Sequence, residues 1–154
     1  MKEAMNKFEV VKDEFRAYPG AEIKMPVRAT KHSAGYDICT PTDITIPSGA
    51  CVKVKTDIKA KVKEDEVLLI FVRSSVGIKK NIVLMNGTGV IDSDFYGNVE
   101  NDGNITLALY NYGNGLQTFK AGDRICQGVF VKYDTVESDC TESVRTGGIG
   151  STND

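Results

Sequence analysis

Gly89-Val90-Ile91-Asp92-Ser93-Asp94-Phe95-Tyr96-Gly97 follows closely on the pair Asn86-Gly87, and its reading decides the rest of the chain. Asn-Gly between apolar runs is the strongest short-range signal for a two-residue hairpin, because both turn residues must accept φ > 0. Such a hairpin places an acid, Asp92, at the end of the apolar run Val90-Ile91, with a ring, Phe95, three residues further on. A carboxylate on a rigid strand, beside a tight Gly-lined pocket and a flat ring, suits base-directed hydrolysis of a nucleotide. The competing reading is an edge hairpin whose acids are merely solvated.

Working outward, the segments read as strands. Phe8-Glu9-Val10-Val11 is a short one, and Ile44-Thr45-Ile46 ends at the turn Pro47-Ser48-Gly49. Residues 51–62 alternate apolar and polar, the period of a half-buried strand. Val67 to Val72, Asn104 to Tyr112 and Asp123 to Tyr133 complete the set. Many short strands punctuated by Gly, Pro and Asn predict an all-β sandwich or barrel. The best helix candidate is the short piece Ser74 to Asn81. One β domain is expected over residues 1–134. From Thr135 the sequence turns polar, Gly-rich and aperiodic, which predicts a mobile C-terminal arm over 135–154.

Composition bounds the function. A chain of 154 residues is one ordinary domain, able to bury its own core. A net charge of -2 with a pI near 5.5 argues against a stable hold on nucleic acid, yet leaves room for a local cationic pocket. Cys39, Cys51, Cys126 and Cys140 are widely spaced, and with the single His32 they supply too few soft ligands for zinc. They read as reduced core thiols of a cytoplasmic protein, and His32 as a surface residue. The longest apolar run, Val67 to Val72, is too short to span a bilayer, and the charged N-terminus predicts no signal peptide.

Five segments hold residue types that a plain β domain does not need. Ala34-Gly35-Tyr36-Asp37-Ile38 puts an acid at a strand start. Arg73-Ser74-Ser75-Val76-Gly77 offers a guanidinium, two hydroxyls and free backbone N–H groups, either as a phosphate cradle or as an N-cap Ser beside a surface Arg. The Asp92 stretch is the third, and Gly122-Asp123-Arg124-Ile125-Cys126-Gln127 the fourth. The fifth, Arg145-Thr146-Gly147-Gly148-Ile149-Gly150-Ser151-Thr152, could wrap an anion with its amides or be a flexible tail.

In this order and spacing, from about Thr30 to Thr152, the five segments resemble the five motifs of the homotrimeric dUTPase family. The resemblance implies a jelly-roll-like β barrel, assembled as a trimer with shared active sites. It also implies that the C-terminal arm of another subunit closes over each site. The reaction implied is Mg²⁺-dependent hydrolysis of dUTP to dUMP and pyrophosphate. Carried over by position, Asp92 is the general base that activates the attacking water. Asn86 and the backbone of Gly89, Val90 and Ile91 read the uracil edge in a turn too tight for a thymine methyl. Phe95 packs under the deoxyribose. Arg73, Ser74, Ser75, Gly77 and Gln127 contact phosphates. Asp37 lies near the Mg²⁺ on the triphosphate, through water. Arg145, Ile149, Gly150 and Ser151 belong to the closing arm.

The chain departs from that pattern in three places. Phe95 stands where the family usually has Tyr, which keeps the ring face and loses a hydroxyl. Ile149 replaces a Phe that stacks on uracil, so it can cover the base but not stack. The arm arginine usually lies one residue earlier, where Val144 stands, leaving Arg145 to reach the terminal phosphate. Asp94 reads as structural or supporting, on the strand face of Asp92 if the strand is regular. Two other functions stay open on the same fold: dCTP deamination, and a nucleotide-binding regulatory protein.

Overall fold

Successive side chains of a strand point to opposite faces, and burial follows that alternation in Thr106–Asn111, where every second residue is buried. The computed structural model describes residues 5–152. In chain order its strands are β1 (Lys7–Val10), β2 (Val27–Arg28), β3 (Tyr36–Cys39), β4 (Ile44–Ile46), β5 (Cys51–Lys55) and β6 (Ile58–Lys61). They continue with β7 (Glu66–Val72), β8 (Ile82–Leu84), β9 (Gly89–Ile91), β10 (Thr106–Asn111), β11 (Gln117–Phe119) and β12 (Arg124–Lys132). All pairings are antiparallel. A five-stranded sheet runs β2-β3-β12-β7-β9 and a three-stranded one β5-β10-β8, with the pairs β1-β6 and β11-β4 beside them. One core joins them, with Ile38 and Leu68 from the larger sheet, Val54, Leu109 and Leu84 from the smaller, and Ile46, Ala60 and Phe119 from the pairs. This is the jelly-roll β architecture expected.

The long strand predicted over 51–62 is two strands. Asp57, at φ 57, turns the chain so that β5 pairs with β10 while β6 pairs with β1. Its carboxylate is fully buried and accepts the backbone N–H groups of Ala17 and Tyr18 at 2.8 and 2.9 Å. A buried acid satisfied by a distant loop overrides the local alternation, which continues through the break.

The turn at Asn86-Gly87 forms, but not as a hairpin. Gly87 has φ +73 while Asn86 is not among the positive-φ residues, so the primed turn that pairs adjoining strands is not made. The chain instead crosses between sheets, β8 pairing with β10 and β9 with β7. The expected helix shrinks to a π-type turn, Ser75–Lys79, and Asn81 at φ 56 ends the segment. β2 and β11 are too short for any period to mark.

Of the four thiols, Cys126 is buried, but Cys51 and Cys140 are exposed and Cys39 is half-buried, which corrects their assignment to the core. Cys51 begins an outer strand and Cys140 lies on the exposed arm. Burial pushes the Cys126 thiol up to about 12, so it stays protonated at neutral pH. Among the described residues no helix is long and apolar enough to cross a membrane.

Candidate active site

The predicted residues gather in two groups. In the first, Asn86, Gly89, Val90, Ile91, Asp92 and Phe95 line a cavity of about 300 Å³, and Arg145, Gly148, Ile149, Gly150 and Thr152 cover it from the same chain's arm, where the resemblance implied the arm of another subunit. Gly89 permits this shape, since a Cβ there would lie 3.0 Å from the Ile70 Cβ. Asp92 is one residue past β9, in extended backbone (φ -73, ψ 156), and opens the 3-10 turn Ser93–Phe95. Asp92 and Asp94 therefore do not lie on one regular strand face as expected. They face one cation because the turn brings them round to it.

That cation is Arg145. Its Nη2 donates to Asp92 Oδ2 at 2.9 Å and its Nε to Asp94 Oδ1 at 2.7 Å. The guanidinium carbon lies 5.9 Å from the centroid of the buried Phe95 ring. The side chain of Arg145 is 12% exposed, against 52% and 57% for the two acids, so the arm packs the cation down onto its partners. Next to it, Gly148 N–H donates to Glu100 Oε2 at 2.6 Å. A Cβ on Gly148 would lie 2.7 Å from Asn101 Nδ2, so a side chain there would have to displace the Asn101 amide. Ser151 Oγ is buried with no hydrogen-bond partner among the described residues, a group that a ligand oxygen would satisfy.

The floor under Asp92 is stiff. Tyr96 donates its hydroxyl to Glu9 Oε1 at 2.8 Å, and Lys59 Nζ lies 4.8 Å above its ring. Burial and that carboxylate raise the tyrosine's pKa. Lys59 also donates to Asp102, and Asp102 accepts the Lys12 N–H, both at 2.8 Å. Gly97 N–H reaches Asp102 O, closing the loop beyond Phe95.

The second group centres on Asp37. It lies on β3 opposite Gln127 of β12, with Arg73 directly after β7. Arg73 Nε pairs with Asp37 Oδ1 at 3.1 Å, and Arg124 Nη1 with Oδ2 at 3.2 Å. A Cβ on Gly35 would collide with the Gln127 amide, so the first and fourth segments fit against each other. Ser74 and Ser75 are exposed at the start of the helical turn; Ser74 makes no capping bond, which removes the N-cap reading. Gly77 turns tightly there, its would-be Cβ 3.2 Å from Val72 Cγ2.

The two groups are far apart within one chain. Ile91 pairs with Leu68, while Arg73 follows Val72 at the other end of β7. At about 3.3 Å per residue this puts roughly 17 Å along the strand between them.

Three residues escaped the sequence reading as site residues. Arg124 lay inside a quoted segment, and Asp94 sat two places from Asp92 with its role open. Glu100 carried no local signal, because its partner is 48 residues away.

The donor set bears on a divalent ion. Among the described residues no group of three or more His, Cys, Asp or Glu is arranged to hold one. Both Asp37 oxygens already face guanidinium groups. Asp37 therefore offers no open carboxylate oxygen for direct ligation of a divalent ion in this arrangement.

The comparisons with known proteins point one way. A family model described as dUTPase matches residues 21–153. The chain is 38% identical over 147 residues to the deoxyuridine 5'-triphosphate nucleotidohydrolase of Lactococcus lactis, covering 94% of this chain and 95% of that one. The crystal structure of the dUTPase from Streptococcus mutans superposes with a TM-score of 0.74 at 36% identity, covering 86% of this chain and 99% of that one. A mutant dUTPase from phage phi11 of S. aureus, described for its coordination of a structural Mg(II) ion, shares the fold at 22% identity and a TM-score of 0.70, over 91% and 98% of the two chains.

Proposed function

The chain belongs to the dUTPase family, and from that premise we infer that it hydrolyses dUTP to dUMP and pyrophosphate in sites completed by a second copy of itself. The observation that carries the shared site is the separation of the two residue groups. A water held by Asp92 must lie next to the α-phosphorus, and Arg73 must reach the same polyphosphate. About 17 Å of strand lies between the Asp92 end of β9 and Arg73 in one chain, with the two groups towards opposite ends of β7. A homotrimer with heterologous contacts brings the Arg73 group of one copy to the Asp92 group of the next.

In such a site, Asp92 orients a water and takes its proton as the oxygen attacks the α-phosphorus; the bridge to the β-phosphate breaks and pyrophosphate leaves. Asn86 and the backbone of Gly89 to Ile91 read the uracil edge. A polar edge rejects cytosine strongly, because mismatched groups are left unpaired. Phe95 lies under the sugar, where the buried ring leaves no room for a 2′-hydroxyl. Arg73, Ser74, Ser75 and Gln127 bind phosphate oxygens, with Gly77 shaping their loop. Bound Mg²⁺ would neutralise charge on the triphosphate, and Asp37 is the acid that would help to hold it. Residues 135–154 act as the lid, with Ile149 over the base and Gly150 and Ser151 along the nucleotide, on a domain formed by 1–134. A cytoplasmic location suits the free thiols and the nucleotide substrate.

The test is a product assay with dUTP, dCTP, dTTP and UTP, each with Mg²⁺. Pyrophosphate from dUTP alone is expected. Ammonia from dCTP would mean deamination, and no turnover of any nucleotide would mean a binding protein.

A further inference from the structure

We propose that Asp94 is a positioning residue, holding Arg145 by its Nε so that the rest of the guanidinium can pass from Asp92 to a phosphate oxygen of the nucleotide. The proposal rests on the hydrolytic reading of the Asp92 site and assigns a task to an acid outside it.

The geometry separates the two acids. Asp92 lines the cavity together with Arg145, whereas Asp94 does not; it lines a neighbouring hollow with Lys61, Lys63 and Tyr96. Asp94 is thus within reach of the arginine but outside the space a nucleotide would fill. Arg145 uses two edges of its fork at once, Nη2 on Asp92 at 2.9 Å and Nε on Asp94 at 2.7 Å. Its third nitrogen, Nη1, lies 3.5 Å from Gly148 O. Guanidinium donors are fixed in a plane, so anchoring Nε fixes where the two terminal nitrogens can point.

The charges make an exchange favourable. Two carboxylates share one cation, so neither is fully compensated. While Arg145 donates to Asp92 Oδ2, that oxygen has one fewer lone pair to offer an attacking water. A triphosphate carries about four negative charges and competes well for Nη2. When Nη2 moves to a phosphate oxygen, Asp92 is released to act as base while Nε stays on Asp94. The arginine then swings about an anchor and does not search from solvent, which lowers the ordering cost of closure. Glu100, which accepts the Gly148 N–H at 2.6 Å, fixes the arm three residues further on, so Arg145 is held on both sides. The anchor also accounts for the displaced arginine: Arg145 stands one place later than the family pattern, and Asp94 is the group that receives it.

The test combines steady-state kinetics with one structural readout. Asp94→Asn keeps the shape and removes the charge; it raises the KM for dUTP about five- to tenfold while kcat changes much less. Asp94→Glu restores part of that loss. Arg145→Lys, which keeps a cation but has no fork, gives a similar KM rise with Asp94 intact. Asp94→Asn combined with Arg145→Ala is no worse than Arg145→Ala alone, because the two act through one contact. In ¹⁵N spectra of the nucleotide-free protein, the Arg145 Nε–H, assigned by its loss in Arg145→Lys, exchanges slowly with water and becomes fast in Asp94→Asn. Multiplicative effects in the double variant, or an Nε–H still protected in Asp94→Asn, overturn the proposal. Failure of the wild type to release pyrophosphate from dUTP would instead overturn the hydrolytic reading, and the Nε–H measurement would still test the contact.

Discussion

Two variants that are each inactive should restore one another when mixed. Arg73→Ala removes the guanidinium paired with Asp37, and Asp92→Asn removes the carboxylate at the far end of β7. If a working site takes its Arg73 group from one copy and its Asp92 group from the next, every site in either pure variant lacks one essential group. After an equal mixture is dissociated and reassembled at random, a site is intact when its Asp92 side comes from the Arg73 variant and its Arg73 side from the Asp92 variant. Each condition holds for half the copies, so about a quarter of the sites recover. The arm strengthens the test, since Arg145 packs on Asp92 of its own chain and travels with the intact base. Neither substitution touches the core. Asp92 is half exposed, so its loss should cost less than about 1 kcal/mol of stability. Arg73 is one of two cations on Asp37, and Arg124 remains after its removal. The assay is pyrophosphate release from dUTP before and after remixing, against each variant taken through the same cycle. Recovery near a quarter of wild type supports shared sites. No recovery, with mixed oligomers verified by mass, would refute the argument and require each chain to hold a whole site.

Four further outcomes follow from the same contacts. Asp92→Asn alone should lower kcat by about 10²- to 10⁴-fold with nucleotide binding retained, read by turnover and calorimetry; a loss under tenfold would remove it as the base. Deleting the chain after Val144 removes Arg145 and the buried glycines of the arm; turnover should fall about 10²-fold or more with the melting temperature little changed. Lys59→Met leaves Asp102, which is 1% exposed, without its cation and should cost about 3–5 kcal/mol in urea unfolding. Burial works to raise the Asp102 pKa, but the Lys59 and Lys12 hydrogen bonds outweigh it and hold the group below its ordinary 3.8; its stabilisation is therefore complete above that value and lost as pH falls through the folded one, so Asp102→Asn should flatten the acid limb of a stability–pH curve.

The fold was legible where period and burial agree. β7 is a continuous apolar run, β10 alternates in burial, and both, with β12, are interior strands of their sheets, so pattern alone found them. It failed where a residue acts through a distant partner. Nothing local distinguishes Asp57 from any other acid in an alternating run; its backbone turn is held by N–H groups from residues 17 and 18, about 40 positions earlier. The Asn86-Gly87 pair misled for a related reason. Its local preference is for a hairpin, but Leu84 pairs with β10 in one sheet and Gly89 with β7 in another, so the turn carries the chain between sheets instead of folding it back on itself.

The site was legible as a set of residues and illegible as an arrangement. Motif order identifies groups that meet the same nucleotide, but it is silent on whether they meet within one chain. The strand register bears on that: β9 pairs with Leu68 to Ile70 in the middle of β7, with Ile91 towards its start, and Arg73 follows its other end. The same register explains why Asp37, Arg73, Arg124 and Gln127 form a compact group without Asp92, since β3, β12 and the end of β7 are neighbours while β9 covers only residues 68–70. Asp94 shows the converse. Two residues from Asp92 in sequence, it looked like a second acid on the same strand face, yet a 3-10 turn puts it just outside the cavity and still in contact with the arm. A single turn thus puts two neighbouring carboxylates to different uses, one lining the cavity and one holding the arm's cation from outside it.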